Sequence, residues 1–380
     1  MTKQIAAFCA LVVAFAAGWF FIQGPGHDMI HKSDVQASAQ PPVDTGTPAP
    51  VPTQQTAQPA AQSAPPVQVK PAQTTLESIQ NNGVVRMSNE NPSEPFFGVA
   101  GGQPHGFNVD FAKLIFADAS FTTAAHPVIT VDTNHSVSEY AEVPKQLLAK
   151  QDGNYTTDIA MDGLTFPNET PAGVVYSVPY IDDFGYALIV QKGSAIKSAD
   201  DLKGKTVGVL KGDPDVKAFV QRQFPGTRIE EVSDADADFI ASSVDGHRVD
   251  AFIYDYPFAV SSIKDTDLQF AVTRLDGADL AYKIGVRDTD KNLLVYLNAA
   301  IATVRNSPDY KQLLLKYFTS AQAVTTAATA GEHGYTVKAR DTLSAIGTSQ
   351  GADWRAIQRR NNLPNPNLIQ VGQTLVIPKK

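Results

Sequence analysis

The middle of the chain, residues 76–318, alternates short β-branched runs with segments whose apolar residues recur at helical spacing. Such alternation is typical of α/β folds. One helix is predicted with Phe111, Leu114, Ile115 and Ala119 on one face. Further helices are predicted over 290–305 and through Tyr317. A strand is predicted over 84–87, and compact apolar runs predict buried parallel strands over 158–161, 187–190, 206–210 and 249–253.

An uncharged apolar run covers residues 5–22 and follows Lys3. It fits a cleavable signal peptide or a membrane-spanning anchor, and either one predicts export. No small-x-small site follows the run directly, and its length is close to the roughly 20 residues that span a bilayer, so an uncleaved anchor is favoured. The single cysteine, Cys9, lies inside this run. The exported part is therefore expected to fold without a disulfide.

Two polar segments of low complexity divide the chain. Residues 33–75 are rich in Pro, Ala and Gln, with nine prolines between Pro41 and Pro71. This composition predicts a disordered tether. Residues 319–334 form a second, shorter linker of small residues. The predicted organisation is a signal or anchor at 1–32, a tether at 33–75, a main domain at 76–318, a linker at 319–334 and a small module at 335–380.

Length and charge narrow the possible functions. A chain of 380 residues suggests two or three globular units. Its net charge of -8 argues against a nucleic-acid partner. Only His27 and His31 have a spacing that would suit a metal, with no third ligand nearby, so no metal and no cofactor are expected. The G-x-S-x-G sequence at 347–351 lies in the small module and is interpreted as a loop, not as a nucleophile elbow.

Four phrases of the main domain occur in the order typical of one family: GFNVDFAKLI at 106–115, DIAMDGLTF at 158–166, DLKGKTVGVLKG at 201–212 and VDAFIYDYP at 249–257. The domain resembles the periplasmic amino-acid-binding proteins that serve ABC importers. The resemblance implies an α/β fold of the two-lobed, type II periplasmic-binding class, with the ligand held in the cleft between the lobes. The chain is expected to cross between lobes near 184–190 and 275–285, which places lobe 2 at about 190–276.

The resemblance also implies ligand contacts. An aromatic side chain that stacks on the ligand is expected at Phe96 or Phe97, one of which could instead belong to the lobe 1 core. Contacts to a ligand carboxylate are implied at Gly163, Leu164 and Thr165. Asp255 corresponds to the lobe 2 acid that pairs with an α-ammonium group, although a surface or capping role is the alternative.

Two departures from the family pattern change the expected ligand. Thr170 stands where the family has an arginine that grips the carboxylate, and a hydroxyl cannot supply that charge. Asp213 and Asp215 replace a Thr-rich turn, and Asp162 adds a further acid. An acidic cleft without the arginine favours a cationic or neutral solute over a standard α-amino acid. A polyamine, a modified amine and a small cell-wall fragment are the candidates.

The last segment resembles a LysM module through YTVKARDTLSAI at 335–346, Trp354 and IQVGQTLVIP at 369–378. The resemblance predicts a βααβ unit, and it implies binding of N-acetylglucosamine-containing glycans such as peptidoglycan. The implied groove is formed by Asp341, Thr342, Leu343, Asn367 and Ile369. Arg340 replaces the usual glycine, which would strain a backbone with positive φ. Seven basic residues against two acidic ones in 335–380 suit attraction to an anionic wall.

The sequence therefore predicts a solute-binding protein of the periplasm or the outer face of the cytoplasmic membrane, anchored at its N-terminus and associated with peptidoglycan. It would deliver a small polar solute to an ABC importer or a membrane sensor. An envelope linker whose cleft no longer binds is the first alternative. A dehydratase-like enzyme on the same fold, using a pair of carboxylates, is the second.

Overall fold

The computed structural model describes residues 73–164, 170–234, 238–319 and 331–379. The predicted anchor at 1–32 and all but the last three residues of the predicted tether lie outside these ranges. Within the ranges, none of the helices has the length and apolar character needed to cross a membrane.

Short strands and helices alternate through the described residues. The strands are β1 Val84–Ser88, β2 Gly98–Ala100, β3 Gln103–His105, β4 Thr130–Asp132, β5 Lys150–Gln151, β6 Asn154–Tyr155, β7 Ile159–Ala160, β8 Val174–Tyr176, β9 Tyr186–Gln191, β10 Thr206–Leu210, β11 Arg228–Val232, β12 Ala251–Asp255, β13 Leu268–Val272, β14 Gly285–Arg287, β15 His333–Thr336 and β16 Thr374–Ile377. The α-helices are α1 Thr75–Asn82, α2 Phe107–Ile115, α3 Pro214–Gln223, α4 Phe239–Asp245, α5 Tyr256–Ser262, α6 Lys291–Arg305, α7 Pro308–Phe318, α8 Leu343–Gln350 and α9 Trp354–Arg360.

Two five-stranded sheets form the cores of two lobes. The first has the order β4-β1-β7-β14-β8, and the second has the order β11-β10-β12-β9-β13. The pairs β1–β4, β1–β7, β10–β11 and β10–β12 are parallel, so the runs predicted as parallel strands at 158–161, 206–210 and 249–253 each have a parallel neighbour. The run at 187–190 forms β9, which is antiparallel to β12 and β13, so its predicted parallel direction was wrong. An apolar run reports the burial of a strand on both faces, which β9 has, but not its direction.

Helix α2 packs its apolar face as predicted up to Ile115. Phe111 and Ile115 are buried, and Leu114 is half-buried. The predicted fourth member of that face, Ala119, is instead exposed in a short 3-10 turn beyond the helix. The Asp118 carboxylate starts this turn by accepting a hydrogen bond from the Ser120 amide at 2.8 Å. The apolar spacing from Phe111 to Ala119 predicted one continuous helix, but the capped turn at Asp118 ends the helical path before Ala119.

Two antiparallel segments connect the lobes and form the hinge. They are residues 177–185, between β8 and β9, and residues 273–284, between β13 and β14. The Tyr180 amide donates to the Tyr282 carbonyl, and the Tyr282 amide donates to the Ile181 carbonyl, both at 2.8 Å. The first crossing therefore lies upstream of the predicted 184–190, most of which is β9. Helix α7 braces this hinge, because the Tyr310 hydroxyl donates to the Tyr180 carbonyl at 2.6 Å.

The C-terminal module is a βααβ unit with its own hydrophobic core. Strands β15 and β16 pair antiparallel, and α8 and α9 lie between them in sequence. The core contains Val337, Leu343, Ile346, Ile357, Leu363, Ile369, Leu375 and Ile377. The 347–351 segment, interpreted from sequence as a loop, instead forms the end of α8 and its left-handed cap at Gly351.

Candidate ligand-binding cleft and glycan loop

Acidic residues follow the carboxyl ends of four parallel strands, two in each lobe. Glu90 follows β1, Asp162 follows β7, Asp213 follows β10 and Asp255 ends β12. Ligands of open α/β sheets bind at these strand ends. Glu90, Asp213, Asp234 and Asp255 all act on the half-buried Tyr254 and, together with burial, raise the pKa of its phenol. Gly163, which follows Asp162, lies against Phe258 and Tyr282, and Asp255 accepts from the Tyr282 hydroxyl at 2.6 Å, so acidic residues of both lobes lie near the same aromatic side chains.

In lobe 1 the acidic pair is Glu90 and Asp162. Asp162 is fully buried and accepts hydrogen bonds from the Ser93 hydroxyl at 2.6 Å and from the Glu90 amide at 3.1 Å. Burial raises its pKa well above the usual range. Burial, then the charges of Asp234 and Glu139, raises the pKa of Glu90 to about 7. At neutral pH this wall of the cleft holds carboxyl groups that a cation would help to ionise.

In lobe 2 the corresponding acid is Asp255. Its carboxylate accepts a hydrogen bond from the Tyr282 hydroxyl at 2.6 Å. Burial raises the pKa of Asp255 to about 7, with a further contribution from Asp213 and Asp215. Asp213 caps α3 by accepting from the amides of Asp215 and Val216 at 3.0 and 3.1 Å, while burial raises its pKa. Both lobes therefore present carboxyl groups held partly neutral by their surroundings.

Aromatic rings form the apolar side of the cleft. The buried Phe96 ring of lobe 1 lies 4.6 Å from the Phe258 ring of α5 and 5.5 Å from the Tyr282 ring, measured between centroids. At Gly163 the backbone has φ +61° and a Cβ would come within 2.9 Å of the Phe258 ring. Glycine therefore permits this close approach. The Ser261 hydroxyl donates to the Glu94 carbonyl at 3.0 Å, so the lobes are in contact.

The structure brings only some of the predicted site residues together. Phe96, Gly163 and Asp255 lie around Phe258 and Tyr282. Asp162 follows β7 in lobe 1, and Asp213 follows β10 in lobe 2. Phe97, like Phe96, is fully buried in the core of the two-lobed domain.

The remaining predicted residues have other positions. The Leu164 side chain packs with Val143, Leu147, Ala160 and Val174 inside lobe 1. Thr170 is half-buried, and Thr165 lies outside the described residues.

Sequence reasoning missed Glu90, Phe258 and Tyr282. Glu90 was detectable in principle, because it follows a predicted strand just as Asp162 does. Phe258 and Tyr282 carry no comparable signal, because helix packing and hinge pairing bring them to the cleft. Within the part of the chain that the structure describes, the charged groups that act on the pKa values of Glu90, Asp162 and Asp255 are all acidic. No group of three or more metal-ligating side chains occurs there.

In the small module, most predicted groove residues also have structural roles. Thr342 caps α8 by accepting from the Ala345 amide at 3.1 Å, and Asp341 accepts from the Tyr335 hydroxyl at 2.9 Å. Leu343 and Ile369 are buried in the module core. Asn367 is exposed on the loop before Ile369, and its side-chain amide donates to the Asp183 carboxylate at 2.7 Å. The backbone at Arg340 has φ +70°, so this arginine occupies the left-handed conformation that favours glycine.

Comparison with known proteins relates both parts of the chain to families. Residues 85–320 match the bacterial extracellular solute-binding proteins, family 3, and residues 335–378 match the LysM domain. The L-cystine-binding protein TcyJ of Escherichia coli is 26% identical over 246 residues, 64% of this chain and 85% of that protein. The lysine/arginine/ornithine-binding periplasmic protein of Escherichia coli is 30% identical over 148 residues, 34% of this chain and 53% of that protein.

The similar proteins also include an enzyme. Membrane-bound lytic murein transglycosylase F of Pseudomonas fluorescens is 22% identical over 248 residues, 64% of this chain and 48% of that protein. A solved ancestral cationic amino acid solute-binding protein aligns with a TM-score of 0.50 and 24% identity, over 65% of this chain and 100% of that one. The latter similarity bears on the fold. The chain belongs to the bacterial extracellular solute-binding proteins of family 3 and carries a C-terminal LysM domain.

Proposed function

We propose that the two-lobed domain captures a small cationic solute without transforming it. The observation that carries this proposal is the set of acidic residues at the carboxyl ends of parallel strands in both lobes, Glu90, Asp162, Asp213 and Asp255. By resemblance to the family, Thr170 also stands in place of a carboxylate-binding arginine. A cation placed among these acids gains charge-assisted hydrogen bonds and ionises carboxyl groups whose pKa is raised. A relative that binds lysine, arginine and ornithine supports a basic ligand.

A screen of solute binding tests this proposal. Purified protein is expected to gain thermal stability with a diamine or a polyamine, and to gain none with glutamate. A solute at about 100-fold its dissociation constant should add about 2.7 kcal/mol to the free energy of unfolding. Tight calorimetric binding of unmodified glutamate or glutamine would contradict the proposed charge preference. Mass spectrometry of the incubated solute checks for turnover, and a product would favour the enzyme alternative.

One observation favours a second candidate, an envelope linker whose cleft no longer binds. The Phe258 ring occupies the place beside Phe96 in which a ligand is expected to stack. If this packing is permanent, the domain acts as a rigid spacer. The absence of a thermal shift with any of the cations, in both the natural chain and a Phe258→Ala variant, supports the linker over the binding protein.

We further propose that the protein is held at the cell envelope by two attachments. The apolar run at 5–22 would fix the chain to the membrane, and the LysM domain would bind glycan chains of peptidoglycan through Thr342 and Asn367. The solute would then pass to an ABC importer or a membrane sensor. Co-sedimentation with purified peptidoglycan should decrease for Asn367→Ala. Thr348→Ala, at an exposed position of α8 outside the proposed groove, is the control and should leave co-sedimentation unchanged.

A further inference from the structure

The LysM domain contacts the hinge of the solute-binding domain through a hydrogen-bond network. Thr273, at the start of the second crossing, is only 4% exposed. Its amide donates to Asn362 Oδ1 at 2.8 Å, and its hydroxyl donates to the Asn362 carbonyl at 2.8 Å. Asn362 has φ +48°, so the loop after α9 adopts a left-handed turn at this contact. The network thus ties the module to one of the two connections between the lobes.

The loop that carries Asn367 lies in the same interface. The Asn367 side-chain amide donates to the Asp183 carboxylate of the first crossing at 2.7 Å. The neighbouring Leu368 is 8% exposed and packs into the core cluster of the two-lobed domain, apart from the core cluster of its own module. Arg359 lies 3.8 Å from Asp276 at the edge of this contact. Both crossings of the hinge therefore touch the module.

We propose that the hinge masks the glycan loop, residues 365–369, so that docking of the module and binding of a glycan chain exclude each other. This inference rests on the proposed binding of glycan by Asn367. The hinge engages the Asn367 amide through Asp183 and buries Leu368 against the core of the two-lobed domain, so a sugar chain has to displace these contacts to reach this side of the loop. The glycan and the hinge compete for the same loop. The module therefore binds peptidoglycan only after it has detached from the hinge.

A reversible crosslink across the interface tests the masking directly. Thr273→Cys and Asn362→Cys are introduced together into the full chain, with Cys9→Ser to remove the natural thiol. Neither residue belongs to the proposed glycan groove. The docked contacts place the two side chains together, so oxidation should form a disulfide, detected as the loss of two free thiols. The same sample is then assayed for co-sedimentation with peptidoglycan before and after reduction.

The expected result is at least a tenfold loss of peptidoglycan binding in the oxidised protein and full recovery in the reduced one. Equal binding in both states overturns the masking, and so does the failure of the disulfide to form. If neither the reduced double-cysteine protein nor the natural chain binds peptidoglycan, the proposed glycan function has failed instead. The single-cysteine variants control for the substitutions themselves.

A second variant tests the same inference without a crosslink. Thr273→Val keeps the shape of the side chain but removes the hydroxyl that donates to Asn362. It should weaken docking and increase peptidoglycan binding several-fold. Thr227→Val is the matched control, because the Thr227 hydroxyl donates to Leu202 within lobe 2 at 3.3 Å. A Thr273→Val protein that binds peptidoglycan no better than the control overturns the inference.

Discussion

At the scale of single residues, the carboxyl groups of the cleft make stability depend on pH. Asp255 and Glu90 have folded pKa values of about 7, above the usual values for Asp and Glu. Between about pH 4 and pH 7 the folded protein therefore binds more protons than the unfolded chain, and stability falls as the pH rises. The free energy of unfolding should fall by roughly 1–3 kcal/mol over this pH range, and the fall should appear in thermal melting curves recorded without solute.

Asp255→Asn separates this effect from other titrations. The amide can still accept from the Tyr282 hydroxyl, but it does not ionise. We expect a smaller loss of stability between pH 5 and pH 8, together with weaker cation binding at pH 8. Calorimetry at both pH values checks the second expectation, and Asp200→Asn, at an exposed turn of lobe 2, is the control. Unchanged cation affinity would remove Asp255 from the site.

Phe258 is the residue whose role distinguishes a binding cleft from a closed spacer. Its removal in Phe258→Ala deletes a packed ring and should lower the free energy of unfolding by about 2 kcal/mol. If the ring competes with the solute, the same change increases the population of the binding-competent cleft and strengthens apparent affinity. Phe258→Leu keeps an apolar side chain, so its cation affinity should lie between those of the natural chain and Phe258→Ala. Unaltered or weaker cation binding in Phe258→Ala contradicts the competition.

At the scale of elements, the turn that leads into α8 stores strain. Arg340 has φ +70°, and Arg340→Gly should therefore raise the free energy of unfolding of the module by about 0.5–1 kcal/mol. Arg355→Gly is the opposite control, because it places glycine inside α9 and should cost about 1 kcal/mol. Thermal melting should show that Arg340→Gly stabilises the module and that Arg355→Gly destabilises it. A destabilised Arg340→Gly protein would mean that the arginine side chain contributes more than its backbone costs.

Elements were predictable where local chemistry determines them. The strand at 206–210 and the helix at 291–305 have close to their predicted bounds, because each is a short buried run or a long amphipathic repeat. The direction of β9 was not predictable, because it depends on where the hinge returns the chain. In the cleft, too, residues set by a local element were predictable and residues set by tertiary packing were not. Asp255 could be placed from its strand, whereas Phe258 reaches Phe96 only through the approach of two lobes.

At the scale of the whole molecule, the proposed masking of the glycan loop by the hinge would couple solute binding to glycan binding. The LysM domain docks on crossings of a molecule whose lobes are in contact, as the 3.0 Å hydrogen bond from Ser261 to Glu94 records. A solute that stabilises contact between the lobes should stabilise the docked module as well, and so reduce its affinity for glycan. Thermodynamic linkage requires the reverse effect to be equal: glycan must weaken solute binding by the same factor.

This reciprocity gives the last prediction. Peptidoglycan binding by the full chain should weaken by about 5-fold or more at a saturating concentration of the cation. Soluble glycan fragments should lower cation affinity, measured by calorimetry, by the same factor. In Thr273→Val, which loosens docking, both factors should approach one while cation binding itself persists. Thermodynamic linkage makes the two effects equal, so independence in one measurement means independence in both. Independent binding of the two ligands by the natural chain would therefore show that docking does not respond to closure of the lobes.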